Sequence, residues 1–68
     1  MNKIEIKTEI IKLDAFLKWA AIVSSGSEAK MFIQDGLVKV NGEVCTQRGK
    51  KLTRGDVINF EDTDFQII

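Results

Sequence analysis

The chain opens on an alternation of apolar and charged positions. Ile4 and Ile6 fall on one side of a pleated strand and Lys3, Glu5 and Lys7 on the other, which predicts an edge strand over residues 2–8 with one face on a core. The period then changes. Leu13, Phe16, Leu17 and Ala20 recur at i, i+3, i+4 and i+7, the apolar stripe of a first helix over residues 12–22. Ser24-Ser25-Gly26-Ser27 is too short for anything but a tight corner. Ser25 and Glu28 form a capping box, and Ala29, Phe32, Ile33 and Gly36 restore the helical spacing. This second helix should end near Asp35, with Gly36 as the residue that takes positive φ. The period then returns to two. Leu37–Val40 and Glu43–Cys45 read as a hairpin around Asn41-Gly42. Val57–Phe60 and Phe65–Ile68 read as a second pair joined through residues 61–64. Between the pairs, residues 46–55 carry two glycines, four positive charges and little periodicity, and are expected to be mostly loop.

Two short helices at a corner cannot bury both stripes on each other, so the strands must cover them. The predicted fold is one α+β domain, a two-helix corner packed on a small twisted antiparallel sheet. Sixty-eight residues allow no more than one domain over 1–68. A chain of this size buries about 60% of its unfolded surface, which leaves no room for a deep cavity beside a core. With 44% hydrophobic and 29% charged residues it is globular in composition. No apolar run approaches the roughly 20 residues of a membrane span, and MNKIEIKTEI does not read as a secretory signal.

Cys45 is the single cysteine, so no intrachain disulfide can form; it is expected as a core thiol in a reducing cytoplasm. There is no histidine. Zinc sites of thiolate and imidazole, and Ser-His or Cys-His nucleophile pairs, are thereby excluded. No cofactor is expected.

A net charge of zero first argues against a nucleic-acid partner, and the distribution reverses that. Residues 37–55 hold Lys39, Arg48, Lys50, Lys51 and Arg54 against Glu43 alone, 5 − 1 = +4. Residues 56–68 hold Asp56, Glu61, Asp62 and Asp64 with no base, −4. The local patch sets the field that a phosphate meets.

Several segments together resemble one known family. They are Lys12-Leu13-Asp14, Ser24-Ser25-Gly26-Ser27-Glu28-Ala29-Lys30, Gly36-Leu37-Val38-Lys39-Val40-Asn41-Gly42 and Leu52-Thr53-Arg54-Gly55-Asp56-Val57-Ile58. In that order and spacing the chain is similar, over roughly residues 11–60, to the RNA-binding domain named after small-subunit ribosomal protein four, the alpha-L motif type. The resemblance implies a non-catalytic bacterial protein that binds structured RNA, ribosomal RNA or a ribosome assembly intermediate, in the cytoplasm and as a monomer. In the family the two-helix corner and nearby strand loops form the RNA surface. That carries over to Lys12, Ser25, Ser27, Lys30 and Lys39, and to Arg48, Lys50 and Lys51 through a match to the Arg-Gly-basic-basic-Leu loop of small stand-alone members. One departure stands out: many members place Arg between the two corner serines, where this chain has Gly26.

The residues support part of this unaided. Arg48, Lys50, Lys51 and Arg54 supply closely spaced cations, with Gly49 allowing close approach. Ser27, Lys30 and Gln34 share the helix face opposite Ala29, Phe32 and Ile33. Asp14 is read as structural, in the first turn and four residues before Lys18. Trp19 is read as packing against the first strand in preference to stacking on a base. The alternatives are a small protein-interaction module, a β-grasp carrier and an enzyme. A carrier needs a flexible Gly-Gly end, where this sequence has Phe65-Gln66-Ile67-Ile68, and an enzyme lacks a nucleophile with its base.

Overall fold

The computed structural model describes residues 1–68. The elements run β1 (Asn2–Ile4), β2 (Ile10–Lys12), α1 (Leu13–Trp19), α2 (Gly26–Gln34), β3 (Val38–Val40), β4 (Glu43–Val44), β5 (Lys51–Thr53), β6 (Val57–Phe60) and β7 (Thr63–Ile67). Five strands form one sheet in the order β1-β7-β6-β3-β4, and β2 and β5 form a separate two-stranded ribbon. The large sheet is antiparallel except at β1–β7, which is parallel, so the sheet is mixed. No helix is long and apolar enough to cross a membrane.

One face of the sheet carries the core. Val38, Ile58 and Ile67 are fully buried with Leu13, Phe16 and Leu17 of α1 and Ile33 of α2, and no polar residue is buried. Cys45 is only half-buried, packed against the rim of this cluster. Phe32, expected as core, is also half-buried; its ring lies 5.0 Å from that of Phe60. Phe16 is the aromatic at the centre, with no exposure.

Three boundaries differ from the sequence-based expectation, each for a physical reason. The strand predicted over residues 2–8 ends as a paired strand at Ile4. The ladder continues only through Ile68 N–H to the Ile4 carbonyl (2.9 Å) and Ile6 N–H to the Ile68 carbonyl (3.1 Å). The chain then bends and starts β2, which pairs antiparallel with β5 from inside the supposed loop. Helix α1 stops at Trp19, three residues early, because Ala21 adopts φ 59°. The Ala21 N–H donates to Lys18 and the Ile22 N–H to Leu17, so the helix closes in a Schellman motif with alanine where glycine is favoured. Finally, β7 begins at Thr63, so the connection from β6 is the two residues Glu61 and Asp62, both at positive φ (52° and 61°). That is the left-handed pair a tight hairpin requires, made here without Asn or Gly.

Candidate nucleic-acid interface

The basic loop is fixed to the start of α1 through its backbone. Lys12 precedes the helix with extended backbone (φ −74°, ψ 150°) and caps nothing with its side chain. The first helical N–H groups would otherwise lack acceptors. Here Leu13 N–H donates to the Lys50 carbonyl (2.9 Å) and Asp14 N–H to the Arg48 carbonyl (3.0 Å). The loop itself is closed by Lys50 N–H on the Gln47 carbonyl (3.1 Å). The carbonyls point into the fold, and the side chains of Arg48 and Lys50 are exposed.

The β2–β5 ribbon adds two more cations at the same place. Ile11 stands opposite Leu52, which is fully buried, and faces the core. Lys12 therefore stands directly opposite Lys51 on the outward face. Like charges in direct cross-strand register are unfavourable, and no fold requirement calls for them. Lys12, Arg48, Lys50 and Lys51 thus converge at one corner, all exposed and with no side-chain hydrogen bond within the chain.

The other expected residues separate into distinct roles. Ser25 Oγ accepts the Glu28 N–H (3.1 Å), and Glu28 Oε1 accepts the Ser24 N–H (3.0 Å). The capping box is therefore present, with its return bond displaced by one residue. Ser27 and Lys30 are exposed on the solvent face of α2, opposite the buried Ala29 and Ile33. Gly26 borders a shallow hollow with Asp14, Ala15 and Lys18 of α1, and a side chain added at Gly26 would meet nothing within 4 Å. Lys39 lies on the sheet face turned away from the helices, with Asn59 opposite it and Asp64 bonded to Asn59 (2.9 Å). The structure does not bring Lys39 to the cationic corner.

Arg54 commits one guanidinium N–H to the fold. Its guanidinium donates to the Ile6 carbonyl (2.9 Å) across 48 residues of sequence and ties the β5–β6 turn to the segment that follows β1. Trp19 makes a similar tie: its indole N–H donates to the Glu5 carbonyl (2.8 Å), with the ring half-exposed. Asp14 Oδ1 accepts the Ala15 N–H (2.8 Å), in keeping with a structural carboxylate in the first turn. Asn41 and Asp56 form a brace. Asn41 Nδ2 donates to Asp56 Oδ1 (3.1 Å), Val57 N–H donates to Asn41 Oδ1 (2.9 Å), and Thr53 N–H donates to Asp56 Oδ2 (2.8 Å). The brace locks the β3–β4 turn onto the start of β6 and the end of β5.

The S4 domain family model matches residues 4–68, nearly the whole chain. The chain belongs to the S4 domain family. Among its relatives is RlbA of Bacillus subtilis (strain 168), named a probable ribosome maturation protein, 44% identical over an alignment 68 residues long that takes in 98% of this chain and 96% of the relative. YbcJ of Escherichia coli (strain K12), named provisionally as an RNA-binding protein, is 33% identical over 58 residues, 85% of this chain and 83% of that one. Among solved structures, the 30S ribosomal protein S4e of Thermoplasma acidophilum superposes with a TM-score of 0.66 at 22% identity, over 88% of this chain and 32% of the ribosomal protein. That likeness establishes the S4-type fold of the two-helix corner and its sheet.

Proposed function

We propose that this S4 domain is a non-catalytic binder of structured RNA, acting as a monomer in the cytoplasm on ribosomal RNA or a ribosome assembly intermediate. The observation that carries the reading is the corner of Lys12, Arg48, Lys50 and Lys51, four unpaired cations held together by a ribbon and a helix cap. Phosphate contacts need this: clustered positive donors not committed to partners in the fold. The names of RlbA and YbcJ support the target class. Ser25, Ser27 and Lys30 extend the surface along α2 in this reading, and Lys39 contributes least because it faces away.

The test is the triple replacement of Arg48, Lys50 and Lys51 by Ala, titrated against structured RNA at several salt concentrations. If each corner cation meets one phosphate, four contacts give a slope of log K against log salt of roughly −2.8 to −3.6. Those four contacts by themselves weaken binding about 50- to 150-fold between 50 and 200 mM salt, and removing three of them should make the slope shallower by roughly 2.1–2.7, with Lys12 and Lys30 left in the variant. The replacements keep the backbone carbonyls that cap α1, so the variant should fold. An unchanged salt slope would refute the assignment. A salt-insensitive protein partner recovered in its place would favour the interaction-module reading.

A further inference from the structure

A groove of about 430 Å³ runs beside β4, lined among others by Val40, Glu43, Cys45, Thr46, Gln47 and Lys50. We propose that it receives an unpaired nucleobase of the RNA held at the cationic corner; the proposal rests on the RNA-binding reading above. Lys50 is the link, because it belongs to the corner and also lines the groove. A nucleotide whose phosphate meets Lys50 has its base within reach of this space. Glu43 decides which part of the nucleotide enters. It is the only carboxylate in residues 37–55, and it stands in the groove itself. A carboxylate repels a phosphate and accepts from the exocyclic amino group of adenine, cytosine or guanine. The backbone is therefore turned outward and a base edge inward. Further edge partners are open: the N–H groups of Thr46 and Gln47 donate to nothing in the chain, and the Gln47 amide has no partner. Val40 and the half-buried Cys45 give an apolar floor for the flat face of the base. Sequence-specific reading of RNA is made mostly on such splayed, unpaired bases.

Cys45, as the single thiol, is a built-in reporter. The probes are an RNA hairpin with one bulged adenosine, the same hairpin with a bulged uridine, and the fully paired hairpin. Cys45 alkylation should be slowed by the bulged-adenosine hairpin and left almost unchanged by the paired one. Adenosine should be preferred to uridine by about tenfold, the order expected for one specific edge contact. Glu43→Ala and Gln47→Ala, both at exposed positions, should remove that preference without changing the salt slope. Equal protection of Cys45 by bulged and paired hairpins, or a preference that survives both substitutions, would overturn the proposal. Salt-dependent binding with Cys45 freely alkylated would sink the groove alone. Absence of salt-dependent binding to any of the hairpins would sink the RNA-binding reading and the groove with it.

Discussion

The register of Lys12 opposite Lys51 makes a prediction with opposite signs for stability and for binding. Two unit charges about 5 Å apart repel by roughly 0.8 kcal/mol in water. Both side chains are exposed and can splay apart, so the realised cost is smaller, about 0.2–0.5 kcal/mol. Lys51→Glu removes the repulsion and substitutes an attraction of similar size, a swing of roughly 0.4–1 kcal/mol in favour of the folded state. For a domain of this length that raises the melting temperature by about 2–8 °C. The gain should be largest near 20 mM salt and nearly vanish at 1 M, where the screening length is only about 3 Å. Lys51→Ala should give about half of it. RNA binding should move the other way, weakening by about tenfold at low salt with a slope shallower by roughly 0.7–0.9. Thermal melts at the two salt concentrations and RNA titrations of the same samples make the test. A variant that melts at or below the unaltered protein at low salt, or a gain that persists at 1 M, would show that the two lysines are not a strained pair kept for a ligand.

Other expectations follow from single positions. Ala21→Gly should stabilise the domain by roughly 0.5–1 kcal/mol in denaturant titrations, because alanine sits at φ 59° in the α1 cap where glycine carries no steric cost. Gly26→Arg should fold normally, since the position opens into free space, and should steepen the salt slope of RNA binding by roughly 0.7–0.9 through one added contact. Arg54→Met should cost about 1–2 kcal/mol by removing the bond to the Ile6 carbonyl, while leaving the salt slope as it was.

The hydrophobic pattern made the helices, the corner and the β3–β4 hairpin legible because each has a local cause: a stripe, a capping box, Asn41-Gly42. What escaped it has non-local causes. Ile10–Lys12 and Lys51–Thr53 are three residues each, too short for a period, and become strands only by pairing with each other. The early end of α1 at Ala21 and the tight hairpin at Glu61-Asp62 place residues at positive φ of which only Asp62 carries a turn signal. The cations of residues 48–54 were visible as a group, but the meeting of that loop with Lys12 was not. Arg54 fell in the Leu52–Ile58 signature and outside the RNA-binding set that held Arg48, and the fold supplies a reason: both are exposed, but only Arg54 is bonded to the Ile6 carbonyl. Lys39 lies among family positions, yet strand alternation puts it on the far side of the sheet.

This division bears on what the family signature means. Asn41, Asp56 and Arg54 carry much of the resemblance, and each spends its side chain on the fold. The signature therefore specifies a frame, while the ligand is met by exposed side chains that the frame leaves free. If so, damage to the brace must act on stability first. Asn41→Ala removes a donor to Asp56 and an acceptor for Val57 N–H, and Asp56→Ala removes acceptors for Asn41 and for Thr53 N–H. Each loss should cost about 0.5–1.5 kcal/mol, since the bonds lie at the surface and water can replace part of what is lost. The two share one bond, so the double variant should be less destabilised than the sum by about 0.5–1.5 kcal/mol. Under conditions where the variants remain folded, their RNA salt slope should equal that of the unaltered protein, because no corner cation has been touched. Additive stability losses would mean that the Asn41–Asp56 bond contributes nothing in solution. A changed salt slope in a folded variant would place one of these residues at the RNA, against the separation of frame from contact surface.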